Sequence, residues 1–192
     1  GFEWDILENL NFSVDAYAMR MKDEIFFDST LLPFGYNSNC GENTQRFGFD
    51  AMLSYEKEEE FSFSVGYGAV KAEIDGGGFG DIPFVPNHRV RSEFGVFAAE
   101  GLEVKIGFSY IGQKYLSGDY KNEGERLKGY ALFDFGVYYE PKWLDGVDIS
   151  FSVNNLFDRS YCDYAAYIAP PGSPCYYPSA GRVFLFGVSY EF

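Results

Sequence analysis

The side chains that could carry chemistry in this sequence are few. His88 is the single histidine. It follows Pro86-Asn87 and has no Cys or His partner at metal-ligand spacing, so no metal site is expected. The glycine run "GGGFGD" at 76–81 lacks a following lysine and a helix to open, which argues against a phosphate loop. "NFS" at 11–13 fits a glycosylation acceptor but falls inside an extended segment. No nucleophile, base and acid come together, so neither an enzyme nor a bound cofactor is expected. The residue types that remain suited to binding are aromatic and lie between extended segments: Phe34, Tyr36, Phe79, Phe84, Tyr115, Tyr120, Tyr164, Tyr167, Tyr176 and Tyr177. Their faces could stack on the rings of a catecholate, a haem or a sugar, though the commoner use of such residues is to pack the loops against one another or to form an interfacial girdle. Cys162 and Cys175 share one Pro/Gly/Tyr-rich loop. They are a candidate loop-closing disulfide of an oxidising compartment, or else two unrelated thiols; Cys40 is left over.

What must position these residues is a set of segments with period 2. "FSFSVGYGA" (61–69) sets Phe61, Phe63, Val65, Tyr67 and Ala69 against serine and glycine only. "LEVKIGFSY" (102–110) and "VDISFSV" (147–153) repeat the rule, and Phe97 and Leu132 break it. The small or polar parity carries Arg46, Asp50, Arg91, Glu93, Glu103, Lys105, Asp134 and Asp148. Nine strands are predicted, at about 1–7, 10–27, 43–56, 60–75, 87–98, 102–116, 127–140, 147–156 and 181–192. Their connections alternate between short (8–9, 57–60, 99–101, 141–146) and long (about 28–43, 76–86, 117–127, 157–180).

One greasy face per strand, with turns at one end and loops at the other, predicts an all-β fold: an antiparallel up-and-down transmembrane β-barrel segment. The aromatic share is 20%, yet no run of about 18 apolar residues occurs, so a membrane-spanning helix is excluded. A soluble sandwich or lectin would need a more polar second face than one of Gly, Ser and Asn. The net charge of −14 argues against a nucleic-acid partner. "GFEWDIL" is not a signal peptide, and nine strands put the two end strands parallel, which cannot close a regular antiparallel cylinder. More strands upstream are therefore expected, unless strands two to nine close as a small barrel with a structural or adhesive role.

The stretch "VDISFSVNNLFDRSY" (147–161) followed by "GRVFLFGVSYEF" (181–192) resembles the closing strands of the TonB-dependent outer-membrane receptors, as do "GDIPFVPNHR" (80–89) and "KGYALFDFGVYYEP" (128–141). The resemblance covers essentially the whole chain. It implies the C-terminal part of a 22-stranded barrel, lacking the N-terminal plug domain and TonB box, in the outer membrane of a Gram-negative-type bacterium. It implies energised import of a scarce chelate, pointing to a ferric siderophore because some such receptors carry a Cys pair in the last loop. The partners it implies are outer-membrane lipid, the TonB complex through the plug, and the barrel-assembly machinery, which would read Phe192, Tyr190, Val188 and Phe186. The polar-parity charges would contact the plug. Independently of the resemblance, Asn154, Asn155 and Asp158 can bond backbone groups where a strand gives way to a loop, and Tyr161 can cover apolar surface at the outer rim.

Overall fold

The computed structural model describes residues 1–28, 35–167 and 174–191. Strands form where β-branched and aromatic residues alternate with small or polar ones, because a pleated surface half in an apolar medium favours that pattern. In chain order they are β1 (Phe2–Leu7), β2 (Leu10–Met21), β3 (Ile25–Asp28), β4 (Tyr36–Asn39), β5 (Asn43–Lys57), β6 (Phe61–Asp75), β7 (His88–Ala99), β8 (Leu102–Ile111), β9 (Lys114–Tyr115), β10 (Arg126–Leu127), β11 (Tyr130–Tyr139), β12 (Val147–Asn154), β13 (Cys162–Tyr167), β14 (Pro174–Pro178) and β15 (Val183–Tyr190).

Nine of them form one sheet in the order β1-β2-β5-β6-β7-β8-β11-β12-β15, each pair antiparallel. These are the nine strands expected from the alternation. The other six form three two-stranded hairpins, β3-β4, β9-β10 and β13-β14, all at the long-loop end. Three of the expected strands are shorter than their alternation. The segment 10–27 stops at Met21 and restarts at Ile25 around Asp23, whose φ is 53°. The segments 102–116 and 127–140 break at Gly112 and Gly129. The closed eight-stranded alternative is not formed: β2 has β1 on one edge and β5 on the other, and β15 pairs with β12.

The short connections are tight. At Glu100-Gly101 the chain turns with Gly101 at φ 70°, and its carbonyl accepts Glu140 N–H at 2.8 Å. A Cβ at Gly101 would collide with the Glu140 carbonyl oxygen, so only glycine meets both demands.

Cross-strand register fixes which side chains share a face. Ala51 faces Tyr67, Tyr67 faces Val90, and Val90 faces Tyr110. The same face carries Phe133, Val153 and Phe184. This outer face is apolar and aromatic, and Tyr55 stacks on Phe61 at 5.3 Å near its short-turn end. The opposite, concave face carries Ser13, Asp15, Asp50, Gly66, Gly68, Arg91, Glu93, Lys105, Gly107 and Asp134. On β6 the apolar stripe runs from Phe61 to Ala69, about the span a tilted strand needs to cross the hydrocarbon.

Above that band the two faces exchange character. The outward parity becomes Lys71, Glu73 and Asp75 on β6, Gln45 on β5 and Arg20 on β2, with Arg20 and Gln45 both bonding Asp75. The inward parity becomes Val70, Ala72 and Ile74, and the last two are buried. A strand leaving the bilayer meets water outside and packed loops inside, so its pattern inverts while its geometry does not. Tyr17 and Met19 also lie on the inner parity, opposite Gly48 and Arg46, and both stay exposed.

Candidate functional site

Two layers of residues stand on the inner side of the sheet. The lower one is a charged concave wall on β2, β5 to β8, β11 and β12. Arg89 pairs with Asp50 at 3.6 Å, and Lys105 bridges Glu103 at 3.2 Å and Glu93 at 3.8 Å. Asp134 accepts the Asn155 N–H at 2.8 Å, and Asp148 accepts from Ser189 at 3.2 Å. Arg46 reaches up and grips Glu24 with both guanidinium arms, at 2.9 and 2.6 Å, while Thr44 donates to the same carboxylate at 2.6 Å. Burial pushes the Glu24 carboxyl up, but the bonds from Arg46 and Thr44 and the Arg46 charge outweigh it and hold the group below its ordinary range. That clamp ties the base of hairpin β3-β4 to the wall.

The upper layer is built from the long connections, which fold inward and bond to one another. Residues 80–82 run back along β6, with Ile82 N–H on the Ala72 carbonyl at 2.8 Å, and Ile82 clusters with Ala72 and Ile74, against which Phe26, Phe79, Val85 and Tyr120 pack. Loop 76–87 joins loop 112–128 through Gly80 N–H to Tyr120 O at 3.0 Å and Phe84 N–H to Tyr115 O at 2.9 Å. The Asn122 side chain, itself placed by a positive φ, bonds both the amide and the carbonyl of Asp81. Loop 112–128 joins hairpin β13-β14 through Ser117 N–H to Ala165 O at 3.0 Å and Lys114 to Asp163 at 3.0 Å. The Tyr120 hydroxyl donates to the Phe27 carbonyl at 2.8 Å and so reaches hairpin β3-β4.

The aromatic residues singled out from the sequence divide accordingly. Phe79 and Tyr120 pack the apolar cluster, with Tyr120 against Phe26 at 5.4 Å. Phe84 lies beneath Lys114 and meets Tyr164 edge-on at 5.1 Å. Tyr115 carries the Arg126 guanidinium over its ring at 4.4 Å. Tyr164 continues to Tyr177 at 5.2 Å. Tyr36, Tyr164, Tyr176 and Tyr177 keep large exposed surfaces, and Phe79 and Tyr120 line a cavity together with Phe26 and Asp119. Tyr167 lies at the end of β13, opposite Pro174; Phe34, the Tyr167 side chain and the terminal Phe192 lie outside the described residues. Phe186, Val188 and Tyr190 stand exposed on the outer face of the edge strand β15.

The expected Cys162–Cys175 disulfide is not formed, and all three cysteines are free thiols. The reason is register. Cys162 stands opposite Pro178 and Cys175 opposite Ala166, with an irregularity between Cys162 and Tyr164. Cys162 packs with Leu116, Leu127 and Ala165, the face opposite to that of Ala166 and Cys175.

The Asn155 to Tyr161 segment shows why those residue types recur in order. Asn155, 4% exposed with φ 54°, donates from its amide to Arg159 O and accepts from Arg159 N–H, both at 2.9 Å. Asp158 accepts the Arg182 N–H at 2.8 Å and so sets the entry into β15. Tyr161 does not cover the outer rim as expected; its ring lies 4.5 Å from Tyr130 on the inner side. Phe157 takes the outer place instead, exposed and edge-on to Phe133 at 5.3 Å. Sequence reading missed Phe157, although its position after a strand end in an apolar-outside sheet was the available signal.

A family model described as TonB dependent receptor-like, beta-barrel matches residues 1–156. A comparison with curated protein sequences finds no match. Among solved structures, the ferric-catecholate import receptor Fiu from K12 E. coli superposes with a TM-score of 0.74 at 21% identity, covering 99% of this chain and 26% of that one. The ferric yersiniabactin uptake receptor FyuA from Yersinia pestis gives 0.76 at 18% identity, covering 99% and 28%. The copper transporter OprC gives 0.79 at 14% identity, covering 99% and 30%. The chain thus spans between a quarter and a third of the length of the structures it matches. The shared fold runs through nearly all of its residues and the family model through most of them: the chain belongs to the TonB-dependent receptor-like β-barrel family.

Proposed function

We propose that this chain is wall and loop layer of an outer-membrane receptor that imports a scarce metal chelate, a ferric siderophore, by energised transport. The observation that carries the reading is the inward-folded loop layer with Tyr36, Tyr164, Tyr176 and Tyr177 exposed above a charged concave wall. Exposed aromatic faces suit a planar, ring-bearing ligand, and two of the structural relatives above are receptors for ferric chelates by their descriptions. In this reading the ligand binds from outside and no bond in it is broken. A plug domain, contacted by the wall charges, rearranges under work supplied by the TonB complex. The outer-leaflet and inner-leaflet lipid meets the apolar face, and the barrel-assembly machinery reads Phe186, Val188, Tyr190 and Phe192 at the chain end.

The test is growth of the source bacterium on single iron sources, with and without the intact gene. Loss of growth on one ferric siderophore, restored by the gene, supports the reading. Unaltered growth on every iron chelate, with a deficit on copper, cobalamin or a glycan, replaces the ligand class while leaving the import role.

A further inference from the structure

The strongest local anomaly in the loop layer is the conformation of Phe84. Its φ is 67°, a region that bulky residues avoid and that persists only where surrounding contacts hold it. Those contacts are specific. The ring lies 3.8 Å below the Lys114 ammonium and 5.1 Å from Tyr164, and the Phe84 amide donates to Tyr115 O. Lys114 is 6% exposed. Among the described residues, the carboxylate it bonds is Asp163, 3.0 Å away, and that same oxygen accepts the Tyr130 hydroxyl at 2.8 Å. Phe84 belongs to loop 76–87, Lys114 to loop 112–128, Asp163 to hairpin β13-β14 and Tyr130 to the barrel wall. Three parts of the chain therefore meet at one buried cation, and the wall holds its half-exposed carboxylate through Tyr130.

We propose that the Phe84, Lys114 and Asp163 junction is a latch that fastens these three loops into one lid, so that they open together rather than singly. The coupling follows from desolvation. A loop that swings away alone strips a nearly buried ammonium of its carboxylate or of the ring beneath it, and leaves a charge in a site with nothing to balance it. Moving the three together keeps the ion pair and the ring contact intact and gives up only the Tyr130 bond to Asp163. The backbone bonds between the loops, from Phe84 to Tyr115 and from Ser117 to Ala165, point the same way.

The test is amide hydrogen exchange on the full-length receptor in detergent, with no ligand present, so that it stands apart from the import reading. Asp163→Asn weakens the latch from the hairpin side. Exchange at Gly80, Phe84 and Ser117, which lie in the other two loops, is expected to rise together by about tenfold, while Phe63 and Val65 in the wall stay protected. Phe84→Leu leaves every charge in place, removes only the ring under the ammonium, and is expected to produce the same joint rise in smaller measure. A rise confined to β13 in the first variant and to loop 76–87 in the second, with the wall intact, overturns the proposal and makes the loops independent.

Discussion

Asn155 shows how much one side chain can do at a strand end. Its amide closes two bonds onto Arg159, its own N–H is held by Asp134, and its backbone adopts φ 54°. Asn155→Ala is expected to cost about 1–2 kcal/mol, since it removes both bonds onto the Arg159 backbone and places a Cβ residue with no compensating bond in the left-handed region. Asn155→Gly removes the bonds but not the backbone freedom and should cost less; unfolding rates in detergent rank the two. Glu24 makes a pH prediction. Its carboxyl is held below its ordinary value despite burial, so the stability it lends is fully present above about pH 4.5 and is lost as pH falls through its lowered folded value. A spin label replacing Asn37 on β4 should gain mobility on acidification through that window. In Glu24→Gln the label should be mobile already at neutral pH and respond far less to acid.

At the scale of the strand, two neighbouring positions of β6 separate the two faces. Val65 lies mid-band on the outer face and Ser64 beside it on the inner. Val65→Arg is expected to lower barrel stability by about 2–4 kcal/mol, the cost of a guanidinium near the bilayer midplane. Ser64→Arg, one residue away, should cost little, and equal losses in the two variants would refute the assignment of faces. The same alternation made the nine wall strands legible in the sequence, from Phe61 to Ala69 most cleanly. It could not announce where the strands leave the membrane, because Val70, Ala72 and Ile74 continue period 2 on the opposite parity and only the packed loops explain them. The three loop hairpins were hidden for a related reason: their strands of two to six residues are too short to show a period. The separation of Cys162 from Cys175 was not legible because one irregularity in β13 exchanges faces, which spacing along the chain does not reveal.

The whole molecule has a direction that the family alone leaves to be measured on this chain. Its short turns carry Glu8, Glu58, Glu59, Glu60, Glu100, Glu140 and Asp145 against Lys57 and Lys142, whereas at the loop end Arg20, Arg46, Lys114 and Arg182 form ion pairs and Arg126 lies over the Tyr115 ring. Every long connection lies at one end of the sheet and every tight turn at the other, so one labelling experiment orients all nine strands. In a variant of the full-length protein with Cys40, Cys162 and Cys175 replaced by serine, a single cysteine is introduced either at Lys121 in the loop layer or at Glu58 in the turn between β5 and β6; both sites are exposed. A membrane-impermeant maleimide added to intact cells should label Lys121→Cys. It should label Glu58→Cys only after the outer membrane is permeabilised. The reverse result would invert the barrel, put the aromatic loop layer on the inside, and remove the physical basis for a ligand arriving from outside.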